Sequence, residues 1–455
     1  MKRTSFDIVI VGGGTAGAFA AAKAAAAGLD VVILERKSRD QAGEIACGDA
    51  IKGKHSLPDV MDLDYLRSES FTNRAITGAR FENPIDGQTL EIPFDESSVV
   101  IDRKRYGEVV LEEAERLGAD IHFDTVVNDL VQNDGRVEGV IAVRDGVQTR
   151  YEATVTVDAA GALSVLQDKG EFSASTFDTN VDYSQFCSAY REILDVPDPV
   201  PWQDSLVFKP TERLGYLWYF PRDGTEINAG LGFQMNKDPM ALVDILKDDL
   251  QNRPEFADAT VRNKLGAALP TRRPYDSAVA DGFVAAGDSA AHVNPTTGGG
   301  IVAAAKSAVA ATERAIEAIT TDDVSEERLW QYNDEVMTDF GARFAAADLY
   351  NIWGGANSVD ELSGIVSAIP GEALVAGLSS GDASVGLASK LKILLRTVGH
   401  WDTLYELSQV RSKAQALKDH YLSYPSHPEG LPAWQSERDE ILADVYEITG
   451  AEPKY

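Results

Sequence analysis

The sequence predicts an α/β protein, α+β overall: a parallel-sheet domain of nucleotide-binding type, a mostly antiparallel β domain inserted into it, and a helical C-terminal section. Three observations predict this. A glycine-rich strand–turn–helix unit occupies residues 7–35, a second strand followed by glycines appears at 283–301 after a long alternating stretch, and helical spacing takes over beyond about residue 325. The expected domains are 1–170 with 262–325, then 171–261, then 326–455.

In the first unit, Asp7 to Val11 is the β-branched run that a buried parallel strand needs, and Ala18 to Gly28 reads as a small-residue helix. Between them Gly12, Gly14 and Gly17 fill G-x-G-x-x-G. Gly12 serves the tight turn, Gly14 lets backbone approach a pyrophosphate, and Gly17 lets helix and strand pack closely. A second strand, Val31 to Leu34, ends at Glu35, where a carboxylate can accept hydrogen bonds from ribose hydroxyls. The alternative is a merely tight βα turn. Flanking strand, helix and terminal acid together favour a Rossmann-like dinucleotide site.

At 455 residues the chain is long enough for two or three domains. Its formal net charge is -30, from 72 acidic and 42 basic residues, with the acids dispersed rather than gathered in a tail. Such a surface suits a cytoplasmic protein of a high-salt cell, where self-repulsion is screened, and it opposes nucleic-acid binding, which needs a basic face. Cys47 and Cys187 are the only cysteines, too few for a disulfide framework, a thiolate zinc site or a four-cysteine iron–sulfur cluster. The first strand begins too early to leave room for a signal peptide, and no run of about 18 uncharged apolar residues is present. A soluble protein or one in peripheral membrane contact is expected.

After Glu35 the chain passes through a loop containing Cys47, Gly48 and Asp49, and residues 52–100 read as small strands inserted between halves of the nucleotide domain. Asp102 opens a helix stopped by Gly118. Residues 121–130 and 137–143 alternate as paired strands around Asn133-Asp134-Gly135, and Tyr151 to Ala160 is a buried strand closing on Gly161. Longer alternating strands follow over about 170–260. The C-terminal section reads as a charged helix, an apolar part broken by Pro370, and a helix from Lys390 to Leu417.

Gly287-Asp288 ends the returning strand with an acid that can bind the ribityl hydroxyls of a flavin. Asn294 to Ile301 then leads side-chain-poor backbone into a helix whose N–H groups can face the flavin ring. His292, one helical turn past Asp288, reads as a capping or packing residue rather than a base. Tyr216, Trp218 and Phe220 share one strand face, as residues two apart do, and Pro221 ends the run. Taken alone they are sheet core more often than ligand wall.

These motifs carry a resemblance. G-x-G-x-x-G at 12–17, the Asp158 to Gly161 turn and Gly287-Asp288 resemble the FAD flavoproteins of the aromatic-hydroxylase type. Tyr216-x-Trp218-x-Phe220-Pro221, eight residues, then Gly230-x-Gly232 resembles the signature of the geranylgeranyl reductases. The likeness spans roughly residues 5–320. One departure is Arg213, where the family often has proline. The resemblance implies FAD as cofactor, with Gly12, Gly14, Ala16, Gly17 and Glu35 on the AMP half, backbone at Val127 near the adenine, and Arg103 on the pyrophosphate. Asp288 would hold the ribityl chain, Gly300 and Ile301 the isoalloxazine, and Cys47 and Gly48 would lie beside the ring. Taken alone, Arg103 could be a helix-start surface residue and Val127 a plain strand residue. Cys187 reads as core. The aromatic trio then becomes the wall of an isoprenoid tunnel.

The implied activity is FAD-dependent saturation of C=C bonds in geranylgeranyl chains, most of all those of archaeal ether lipids such as digeranylgeranylglycerophospholipid. Isolated trisubstituted alkenes are not electrophilic, so hydride delivery must be accompanied by a proton; Cys47 or a bound water are the candidates, with Trp218 and Tyr216 tolerating cationic character. No second G-x-G-x-x-G lies between strand and helix, so the electron donor is a transiently bound NAD(P)H, a ferredoxin or another donor. Two other classes remain open at this point: a flavin monooxygenase or other flavin oxidoreductase on a hydrophobic or quinone-like substrate, and an isoprenoid carrier with structural flavin.

Overall fold

The computed structural model describes residues 2–52, 56–211, 215–235, 240–368 and 401–455. Its first sheet has the parallel strands Lys2–Val11, Val31–Leu34, Asp120–His122, Val147–Asp158 and Phe283–Ala285, with Lys2–Val11 near the centre. The residues Ile8 to Val11 and Val31 to Leu34 are buried on both faces, as a sheet covered by helices requires. Those helices are Thr15–Ala26, Arg103–Arg116 and Ile301–Thr320, and the alanines of the last lie fully buried at positions 305, 308, 311 and 315, on one face.

The hairpin expected around Asn133 forms between Thr125–Asn133 and Arg136–Arg144, with Asp134 and Gly135 both at positive φ (49° and 85°), the geometry of a two-residue I′ turn. The stretch 121–130 is not one strand, however. Asp124, at φ 52°, turns the chain, so that Asp120–His122 completes the parallel sheet while Thr125 onward starts the hairpin.

Among the described residues the second sheet has eight strands, drawn from two parts of the chain. Its order is Thr260–Pro270, Phe186–Asp195, Glu226–Gln234, Gly215–Pro221, Ser205–Pro210, Phe71–Glu82, Thr89–Ile101 and Ala50–Lys52. All neighbours are antiparallel except Ser205–Pro210 with Phe71–Glu82. The segment 52–100, expected to hold small strands of the nucleotide half, thus supplies two of the longest strands of the other sheet. Strand pairing decides this, and a strand's sequence does not name its partner.

The sheet has two differently covered faces. Leu217, Tyr219, Leu231 and Phe233 pack with Leu242 and Leu246 of the helix Met240–Gln251. Trp218 and Phe220, on the opposite face, pack with Leu206, Val100 and Ile76. Beyond Thr320 the described residues are mostly helical: Glu326–Leu329, Gln331–Val336, a π turn at Met337–Gly341, Ala342–Ala356, Val359–Ala368, Trp401–Tyr421 and Leu431–Thr449. Tyr332 ties this section to the parallel sheet by donating to the Ala285 carbonyl at 2.7 Å. Pro370, the start of the helix expected from Lys390, and Arg213 lie outside the described residues. Among the described residues no helix is long and apolar enough to cross a membrane.

Candidate functional site

Gly12 and Gly17 meet the tight turn and close packing expected of them. Gly12 sits at φ 98°, and a Cβ there would come 2.4 Å from the Ala159 carbonyl oxygen; one on Gly17 would come 1.9 Å from that of Gly12. Gly14 has nothing within 4 Å of where its Cβ would be, and no side chain caps the helix it starts. Open backbone and free N–H groups at a helix start form an anion cradle. Beside it stands Arg103, 4% exposed, which gives one N–H to Thr15 Oγ1 at 3.1 Å while its Nε and Nη1 have no protein partner. The guanidinium lies 5.0 Å over the Tyr106 ring, and its leftover buried donors fit an anion as partner. Its helix is held by Asp102, which caps the amides of Lys104 and Arg105.

Glu35 is buried and accepts from the Gly13 and Lys37 amides at 2.7 and 2.8 Å, one on each oxygen. A carboxylate has about four lone-pair sites, so capacity remains for ribose hydroxyls. The Thr125 amide donates to the Glu35 carbonyl at 2.9 Å, which brings the strand carrying buried Val127 to the same corner.

Gly287, at φ 67°, joins this corner to the second half of the site. A Cβ on it would be 3.0 Å from the Ala16 Cβ and 3.3 Å from that of Ala304, so the two helix starts converge there. Next to it burial lifts the Asp288 carboxyl to about 6, against the opposing pull of Arg103. Gly300 precedes the helix Ile301–Thr320, whose first turn has no side-chain cap, and a Cβ on Gly300 would lie 3.4 Å from Asp288 Oδ1. These features fit a flavin dinucleotide: pyrophosphate at Arg103 and Gly14, ribityl hydroxyls at Asp288, ring edge at the helix start. His292 is buried, pushed down to about 3 by that burial, with its ring 5.3 Å from that of Phe340. It packs.

The aromatic row lies against both loops that border this region. Pairing registers Trp218 with Gly230, Tyr216 with Gly232 and Phe220 with Asn228. A Cβ on Gly230 would come 2.4 Å from Trp218 Cζ2, so only glycine leaves the indole its place. At one end of the row Tyr216 donates to the Thr297 carbonyl at 2.6 Å. At the other, a Cβ on Gly48 would be 2.9 Å from Phe220 Cε2 and 3.6 Å from Trp218 Nε1. Tyr216 is half-buried, Trp218 and Phe220 buried. Cys47 is half-buried, and its thiol is pushed up to about 11, first by burial and then by Asp49.

The model for glucose inhibited division protein A matches residues 7–179. Digeranylgeranylglycerophospholipid reductase of Sulfolobus acidocaldarius is 28% identical over 98% of this chain and 99% of its own length. Digeranylgeranylglycerophospholipid reductase 1 of Methanopyrus kandleri is 30% identical over 75% of this chain and 88% of its own. The chain belongs to the digeranylgeranylglycerophospholipid reductase family. In fold it is similar to a geranylgeranyl bacteriochlorophyll reductase-like protein from Thermoplasma acidophilum, with a TM-score of 0.73 at 21% identity, covering 90% of this chain and 100% of the other. Nothing in these likenesses supports the expectation of a high-salt protein.

For a member of this reductase family the structure also brings together residues that sequence reasoning passed over. Asn228, Asp49 and Arg222 form a buried polar group at the Cys47 loop, with the charge of Arg191 also acting on Asp49. Asn228 is bonded to Trp218, to the Cys47 carbonyl and to Asp49, and Arg222 Nε lies 3.3 Å from Asp49 Oδ2. The available signal was parity: Asn228 stands two before Gly230, so it had to share the aromatic face. Cys187, expected as core, is buried and shares that face too, its Sγ 3.0 Å from where a Gly232 Cβ would be.

Proposed function

We propose that this chain is an FAD-dependent reductase that saturates carbon–carbon double bonds of geranylgeranyl chains in ether-lipid biosynthesis, with the aromatic row over the Cys47–Gly48 loop as its isoprenoid-facing surface. The observation that carries the reading is the double contact of that row, with Thr297 at one end and Gly48 at the other. The two loops suited to holding a flavin ring thus straddle the residues suited to holding an alkene.

Bound and reduced, FAD supplies the hydride. The chain's own residues bind, orient and exclude water. Arg103, with Gly14 and the uncapped Thr15–Ala26 helix, binds the pyrophosphate; Glu35 and the Val127 backbone serve the adenosine, and Asp288 the ribityl chain. Gly300 and Ile301 meet the ring, and Tyr216, Trp218 and Phe220 present flat aromatic faces along which a polyisoprenoid can slide. The indole face also tolerates developing positive charge on carbon. Cys47, with its thiol at about 11, keeps its proton at neutral pH. So weak an acid cannot protonate an isolated alkene in advance. As the donor it releases its proton only as hydride addition proceeds.

The test is anaerobic: dithionite-reduced protein is incubated with digeranylgeranylglycerophospholipid and, separately, geranylgeranyl diphosphate, and products are weighed by mass spectrometry. Mass gains of two hydrogens per bond, with flavin reoxidation, are expected. Substrate recovered unchanged in both arms, with flavin still reduced, would overturn the reading.

A further inference from the structure

The Asn228 amide has a single possible orientation. The Trp218 indole N–H can only donate, so the Asn228 atom 2.9 Å from it is the carbonyl oxygen. The amide nitrogen on the other side then donates to the Cys47 carbonyl at 2.7 Å and to Asp49 Oδ2 at 2.6 Å. One fully buried side chain therefore ties the aromatic strand to the loop on both sides of Gly48, across 181 and 179 residues of sequence. Asp49 itself stands at φ 68°, and its amide donates to Cys47 Sγ at 3.3 Å. The loop bends back on its own thiol. Asp49 Oδ1 has no protein partner.

We propose that Asn228 is a positioning residue for the reduction, holding Cys47 in register with Trp218 by clamping the loop on both sides of Gly48. The inference rests on the proposed reading that the Cys47 loop and the aromatic row border the reacting alkene. Without the clamp Asp49 is still held by its contact with Arg222 and by the Ile101 amide, which donates to its carbonyl at 2.9 Å, but the Cys47–Gly48 side of the loop keeps only the van der Waals contact of Gly48 with Phe220 and Trp218 among the contacts to the aromatic strand. Cys47 then moves relative to the indole, while Arg103, Glu35 and Asp288, which serve the cofactor, are untouched.

The groups facing Asp49 set how its environment responds to pH. Burial prevails and raises Asp49 above its ordinary value, against Arg222 from the end of the signature strand, Arg191 from the strand Phe186–Asp195, the hydrogen bond from Asn228 and Arg103 from its helix, which all favour the carboxylate. In Asn228→Asp two carboxyl groups occupy positions 2.6 Å apart and share a proton. The variant cannot donate to both the Cys47 carbonyl and Asp49, and it regains a donor only as pH falls and the second proton binds.

Two readouts test the clamp in FAD-loaded protein. The first needs no lipid: Cys47 alkylation by iodoacetamide, located by mass spectrometry. Asn228→Ala is expected to speed it by about tenfold or more, because the opening of a local segment becomes easier. The second is anaerobic reoxidation of the reduced flavin by digeranylgeranylglycerophospholipid. Asn228→Ala should lower the rate at saturating lipid by about 10²-fold, the scale of a misplaced reacting group. Half-saturation should change by less than about threefold. Asn228→Asp, which keeps the shape, should recover rate from pH 8 to pH 5 relative to wild type. Unchanged alkylation in Asn228→Ala, or loss of FAD from both variants, would overturn the clamp. A wild type that lipid never reoxidises, beside faster alkylation in the variant, would instead sink the functional reading and leave the clamp standing.

Discussion

The two faces of the second sheet carry the same kinds of side chain to opposite ends. Leu217 and Tyr219 point to a face sealed by the helix Met240–Gln251, and the Tyr219 hydroxyl binds Asp249 while Arg253 stacks 4.1 Å over its ring. Tyr216, Trp218 and Phe220 point to a face that, among the described residues, meets the Gly48 and Thr297 loops and neighbouring strands. Alternation explains how one heptapeptide serves both faces, but the difference lies in what meets each one. A helix of the same domain makes a core. The loops of Gly48 and Thr297 border the proposed site.

The comparison can be broken first on its core face. Tyr219→Ala removes a fully buried ring with its hydrogen bond and cation–π contact, and should cost about 3–5 kcal/mol. Denaturant unfolding should show the loss, with FAD affinity in the protein that remains folded unchanged. On the cofactor side Arg103→Ala should weaken FAD by about 1.5–3 kcal/mol, the worth of a hydrogen bond to a charged group, with a smaller effect on the melting temperature of apoprotein, where its Nε and Nη1 have no protein partner. Fluorimetric titration of apoprotein with FAD measures it.

A smaller effect concerns pH. Asp288 sits at about 6 before binding, and accepting ribityl hydroxyls favours its carboxylate, so binding lowers this value. Affinity is therefore fully present above about pH 6 and is lost as pH falls through it, by up to tenfold per unit. The dissociation constant should be flat from pH 7 to 8 and rise toward pH 5, and Asp288→Asn should flatten the profile. An unsloped wild-type profile would remove Asp288 from the ribityl chain.

The same contrast separates what was legible in the sequence from what was not. Gly12, Gly14, Gly17 and Glu35 were legible because consecutive backbone constraints demand particular residues at fixed spacing, and the structure bears out the close contacts at Gly12 and Gly17. The family too was legible, through Tyr216 to Gly232. Asn228 was not, since its meaning depends on Cys47 and Asp49, brought to it by tertiary folding from about 180 residues away. Nor was the membership of Phe71–Glu82 and Thr89–Ile101 in the second sheet, because alternation tells which side chains share a face and not which strand lies alongside. Asp124 broke an otherwise even alternation through one positive φ, a conformation that Asp tolerates without advertising it.

Trp218 tests the central claim most directly, because it lies beside Tyr219 in the chain and on the other face. The measurement is the rate at which digeranylgeranylglycerophospholipid reoxidises the anaerobically reduced flavin of Trp218→Ala, read beside FAD stoichiometry and melting temperature. The account predicts a folded, FAD-loaded variant whose reoxidation falls by about 10²-fold. A folded, FAD-loaded Trp218→Ala that is reoxidised as fast as wild type would contradict it.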